Sequence, residues 1–168
     1  SAVRPGYPKQ GDETDAVFRF RLNRDAAHVD GLHRVGPDSR RHLREVHAFV
    51  LGNPLTATAP GASPLVLWQG SHILMRNAFR ARLAKVRTSD WKDVDLTETY
   101  QEIRREVFDA CTRIEVEAQP GEAFLLHRLT VHGISPWKPG AAAPPEGRVV
   151  AYFRPALKDV TTWLSGEE

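Results

Sequence analysis

Cysteine is almost missing from this chain: Cys111 stands alone among 168 residues. That rules out an internal disulfide framework and a multi-cysteine zinc site, and it fits a reducing compartment. Long apolar runs are missing too. Nothing approaches the roughly 20 residues needed to cross a bilayer, and the opening SAVRPGYPKQ lacks the apolar stretch of a secretory signal. Nor does one sign of charge dominate: 23 basic side chains face 21 acidic ones, scattered along the chain, which leaves no footprint for nucleic acid. There is no internal repeat, and only KPGAAAPPEG approaches low complexity. A soluble, cytoplasmic chain with no membrane partner is expected. Its size suits one domain able to bury a core of its own, and its oligomeric state is left open.

What is present reads mainly as short strands between turn signals. Residues 1–15 are polar and rich in turn formers, as in a loose arm. AVFRFRLN (16–23) alternates like a half-buried strand, and residues 24–43 hold His28-Val29-Asp30 followed by a basic loop with glycine and proline. REVHAFVLGN (44–53) and PLVLWQG (64–70) read as further strands. Ser71 then sits at an N-cap position before an apolar helical rhythm at Ile73, Leu74, Ala78, Phe79, Leu83 and Val86. A second helix is expected over about 95–110, capped by Asp95 or Thr97. CTRIEVEA (111–118), EAFLLHRLTVHGI (122–134) and RVVAYFRP (148–155) complete the strand series. The pattern predicts a β-sandwich or barrel with two added helices.

The chemistry is concentrated in few residues. In an extended segment His28 and Asp30 project to one face while Val29 packs on the other. An imidazole and a carboxylate suit one Fe(II), Mn(II) or Zn(II) ion. The third ligand is expected to be His132, at a strand end beside Gly133. His127 lies on the opposite face of the same presumed strand and is expected to be structural. Two histidines and a carboxylate leave the open coordination positions of a non-haem Fe(II) oxygenase. If 2-oxoglutarate is the co-substrate, its distal carboxylate needs a cation, best met by arginine. A hairpin from His132 would bring Arg148 to that place, with Arg154 in reserve, although a surface ion pair suits Arg154 better. His47 reads as a core or pocket histidine, His72 as a helix-start residue, and His33 and His42 as loop residues.

In this order His28-Val29-Asp30, PGASPLVLWQGSH, PGEAFLLHRLTVHGISPW and EGRVVAYFRP resemble the phytanoyl-CoA dioxygenase family of Fe(II)/2-oxoglutarate-dependent oxygenases, over about residues 24–155. The resemblance implies a double-stranded β-helix, the jelly-roll or cupin-like barrel. It implies His28, Asp30 and His132 as catalytic metal ligands to Fe(II), and Arg148 as the 2-oxoglutarate anchor. The implied reaction is hydroxylation of a small organic metabolite by molecular oxygen, with succinate and carbon dioxide as co-products. Two other readings of the same residues stand beside it: a cupin-type metalloenzyme that does not use 2-oxoglutarate, and a non-catalytic jelly-roll binding module.

Overall fold

The computed structural model describes residues 1–166. It is mainly β, with antiparallel sheets and three α-helices. The strands are β1 (Ala2–Val3), β2 (Leu32–Val35), β3 (Arg40–Leu43), β4 (Phe49–Pro54), β5 (Leu65–Trp68), β6 (Arg113–Val116), β7 (Phe124–His127), β8 (His132–Ile134) and β9 (Arg148–Phe153). The helices are α1 (Asp15–Asn23), α2 (Ser71–Leu83) and α3 (Thr97–Ala110). One sheet runs β1-β9-β4-β7, a second β6-β5-β8, and β2 and β3 form a separate hairpin. Among the described residues no sheet closes on itself as a barrel.

The two larger sheets face one another. Val50, Phe124, Leu126 and Val150 of the first pack with Leu65 of the second in one apolar cluster, against which Leu67 and Tyr152 also rest. Val66 and Trp68, on the reverse side of β5, belong to a larger cluster with Met75 and Phe79 of α2 and Tyr100, Ile103 and Val107 of α3. Both faces of β5 are therefore buried, which accounts for its unbroken Leu-Val-Leu-Trp run: a strand covered on both sides cannot alternate with polar residues. No helix among the described residues is long and apolar enough to cross a membrane.

Three local expectations fail for identifiable reasons. Residues 16–23 form a helix, not a strand. Thr14 caps it by accepting the Val17 N–H at 3.3 Å, and Asp15 places an acid in the first turn. The apparent alternation is used differently: Arg21 is buried, bound to Glu13 and the Pro8 carbonyl, and lies over the Tyr7 ring. The arrangement therefore has three helices where two were expected. Residues 32–43 are the β2–β3 hairpin rather than a loop, with Gly36-Pro37-Asp38-Ser39 as its turn. The segment 122–134 is two strands in different sheets, broken between His127 and His132. The first residues are also tied down, through β1 on β9 and the buried Tyr7, whose hydroxyl donates to the Ile134 carbonyl at 3.2 Å.

Candidate metal centre

Backbone pairing brings the early and late segments together. His28 and His132 face each other across an antiparallel bridge, each N–H donating to the other's carbonyl at 2.9 and 3.0 Å. His132 in turn is registered opposite Leu67 of β5, and Leu67 packs against the cluster between the sheets. Directly paired residues share a face, so His28, Asp30 and His132 all project toward the space between the sheets. Val29 lies on the reverse side, buried with the helical cluster.

Two glycines make this approach possible. A Cβ at Gly133 would press on the backbone of Asp25 and Ala27, and the Asp25 carbonyl accepts the Ile134 N–H at 2.8 Å in that space. Gly31, with φ of +86°, turns the chain immediately after Asp30 where a Cβ would collide with the Glu45 carbonyl. A further tether was not legible in sequence. Ser71, expected to cap α2, is its first helical residue, with Gly70 at the N-cap; its buried Oγ accepts the Val131 N–H at 2.9 Å, one residue before His132.

The side-chain geometry follows. His28 Nε2 lies 3.3 Å from Asp30 Oδ1, and His132 Nε2 lies 3.8 Å from Asp30 Oδ2. One donor atom from each of the three lies within 4.8 Å of the others. Bonds of about 2.1 Å at right angles would set donors roughly 3 Å apart, so a small contraction completes a three-ligand site. The histidine nitrogens are already assigned. His28 Nδ1 is 2.9 Å from the Ala26 carbonyl, and His132 Nδ1 is 2.9 Å from the Thr130 carbonyl. A carbonyl only accepts, so each Nδ1 carries the proton and each Nε2 offers a lone pair, as a metal ligand requires. Burial, with the neighbouring His28 charge, pushes His132 down to about 4 and keeps it neutral. Burial opposes ionisation of Asp30, but the flanking imidazoles and the Arg154 guanidinium outweigh it and hold its carboxyl well below the usual range.

Of the two candidate arginines, the one in contact with the triad is Arg154. Its Nε donates to Asp30 Oδ2, leaving Oδ1 toward His28. The ion-pair expectation for Arg154 thus has a specific partner. Arg148 does not lie beside His132 on a hairpin: β8 and β9 are in different sheets. It shares the inward parity of Val150 at the opposite end of β9, six residues from Arg154, or roughly 20 Å along an extended strand. Arg148 is buried and its Nη1 has no hydrogen-bond partner among the described residues.

The remaining histidines separate from the triad. His47 is buried and, with the exposed His33, flanks Glu45; His28, Asp30, Arg41 and Arg154 line the same open cavity of about 380 Å³. The rings of His72 and His127 pack against each other at 4.9 Å with their planes tilted by 43°. The Trp137 Nε1–H donates to the Ala141 carbonyl within its own loop. Compared with known proteins, the chain matches no family profile, no curated protein and no solved structure.

Proposed function

We propose that this chain is an Fe(II)/2-oxoglutarate-dependent dioxygenase of jelly-roll type that hydroxylates a small organic metabolite. The observation that carries the reading is the convergence of His28, Asp30 and His132 with both Nδ1 atoms bound to backbone carbonyls. A structural histidine cluster has no need to turn two Nε2 lone pairs toward one carboxylate. Two facing antiparallel sheets, with the triad between them, are what such a barrel requires before closure.

The ligand set fits Fe(II), which together with oxygen and 2-oxoglutarate would supply the oxidising chemistry, releasing succinate and carbon dioxide. The chain's own part is positioning. The Ala26 and Thr130 carbonyls fix the two imidazoles, and Arg154 orients Asp30 so that one carboxylate oxygen remains for the metal. The distal carboxylate of 2-oxoglutarate needs a guanidinium not committed to Asp30, a role that falls to Arg148, buried with a free Nη1 at the other end of β9. Burial of His132 excludes water from one side of the site.

The test is anaerobic titration with Fe(II), then 2-oxoglutarate. One equivalent of iron should bind, and the metal-to-ligand charge-transfer band of the chelate should appear. Asp30→Asn should abolish both. Arg148→Ala should raise the 2-oxoglutarate requirement steeply while leaving iron binding intact. No stoichiometric iron in the unaltered chain would refute the proposal. A metalloenzyme on the same scaffold that does not use 2-oxoglutarate is favoured by one observation: the guanidinium nearest the triad is committed to Asp30, and Arg148 makes no hydrogen bond to it. Product formation without oxygen and without consumption of 2-oxoglutarate would select that reading.

A further inference from the structure

A second cavity, of about 640 Å³, also has His28 in its wall. Its walls include Val17 and Phe20 of α1 and three arginines, Arg34, Arg41 and Arg104. Among the described residues none of the three takes part in an ion pair. Arg40, on the same wall, is by contrast committed to Asp95 and Glu98. Asp38, in the exposed β2–β3 turn, is the one acid among the described lining residues.

The fold gives no reason for this grouping. Arg34 and Arg41 stand directly opposite each other in the hairpin register, an arrangement of like charges that weakens strand pairing. Instead of acids, aromatic rings hold Arg41 and Arg104 in place. Arg41 lies over the fully buried Tyr100 at 4.9 Å; Arg104 lies over the same ring at 5.1 Å and over Phe20 at 5.0 Å. Their hydrogen bonds use few of the donors that each guanidinium carries. Arg41 Nη1 donates to the Leu32 carbonyl at 3.0 Å, and Arg104 Nη1 donates to the Ala27 carbonyl at 3.3 Å and the Tyr100 hydroxyl at 3.5 Å. Ala27 immediately precedes His28, and Arg41 lines the smaller cavity as well. The cationic group thus adjoins the metal centre on a wall that also carries apolar surface.

Resting on the function proposed above, we infer that this cavity binds the substrate, an amphipathic organic oxyanion. Its carboxylate or phosphate-ester head is held by Arg34, Arg41 and Arg104, and its apolar body lies against Val17 and Phe20, within reach of His28. The fixed charge holds one end of the ligand and leaves its apolar chain along Val17 and Phe20.

The experiment measures calorimetric binding of octanoate, octyl phosphate and octanol to the metal-free chain at low salt. The tighter-binding anion identifies the head group. Octanol should bind at least about tenfold more weakly than that anion, as expected when a charge-assisted contact is lost, and added salt should weaken the anion alone. Arg34→Gln alters an exposed side chain outside the core and should weaken anion binding about tenfold without lowering the melting temperature, since it also removes the repulsion with Arg41 across the hairpin. Arg105→Gln, on α3 but off this wall, should change nothing. Octanol binding as well as the anions, no anion binding at all, or equal affinity in Arg34→Gln would each overturn the assignment. Co(II) titration of the same sample tells the two proposals apart. Anion binding without metal binding removes the oxidative reading and keeps the anion site; metal binding without anion binding does the reverse.

Discussion

Adding one methyl group at Gly133 tests how the metal ligands are spaced. Gly133 has no left-handed φ, so alanine meets no backbone strain there. The effect would come from crowding alone. A Cβ at this position would lie 3.0 Å from the Asp25 carbonyl carbon and 3.2 Å from the Ala27 nitrogen, and nearer still to the Asp25 oxygen. Unstrained carbon contacts need about 3.5 Å or more. These are backbone atoms that cannot rotate away, so the segment 25–27 must retreat by more than about 1 Å to clear the Asp25 oxygen, beyond the roughly 0.5 Å a preorganised site tolerates. His28 follows that segment directly. Gly133→Ala should therefore cost roughly 1–3 kcal/mol of stability as overpacking, and weaken Co(II) or Fe(II) binding by about tenfold or more, in the range seen when a metal ligand's support is lost. Urea denaturation and anaerobic metal titration read the two effects separately. Alanine at 133 with unaltered metal affinity would show that the close passage of residues 25–27 does not set the His28 to His132 distance.

Three further outcomes follow from the same geometry. Ser71→Ala leaves the buried Val131 N–H without an acceptor and should cost about 1–3 kcal/mol, measured by urea denaturation; no loss would mean that Val131 finds another partner. Arg154→Gln should weaken metal binding about tenfold to a hundredfold, whereas Arg148→Gln should not, and equal effects would remove the distinction drawn between them. His127 is held down to about 4 from an ordinary 6.5 by burial, Arg128, His72 and Arg76, and its Nδ1 accepts the Leu129 N–H at 3.1 Å. The unfolded chain then binds more protons between those values, so its contribution to stability is complete above pH 6.5 and lost as pH falls toward 4. His127→Gln should flatten that part of the stability profile, and an unchanged slope would refute the assignment.

Periodicity revealed the segments whose burial is simple. Leu65–Trp68 is apolar throughout because it is covered twice, and the stripes of α2 and α3 face one core, except for Ile73, which is exposed. The triad was legible because His28 and Asp30 need only an extended segment to share a face. Arg21 defeated the same logic: an alternating charge looks like a solvent face of a strand, yet its guanidinium is buried against Tyr7 and Glu13. The helix signal, Thr14-Asp15, is confined to two residues, while the alternation runs through the eight that follow. Gly36-Pro37-Asp38-Ser39 marked the β2–β3 turn, but strands as polar as His33-Arg34 and Arg41-His42 give no apolar face to detect. Arg154's contact with Asp30 and Ser71's with Val131 join residues 124 and 60 positions apart. Pairings of that kind depend on where whole strands settle and leave no mark on the residues nearby.

The step between β7 and β8 sets unequal rules for change in length. Residues 128–131 carry the chain from one sheet to the other and deliver His132 opposite both Leu67 and His28. One residue more or fewer there would disturb the turn bond from Thr130 to His127 and the two bonds that hold Val131 to Trp68 and Ser71, and with them the placement of the imidazole. The span 135–147 joins the sheets again without holding a ligand. Variation in chain length is therefore free to accumulate after Ser135, while the four residues before His132 act as a measuring rod of fixed length.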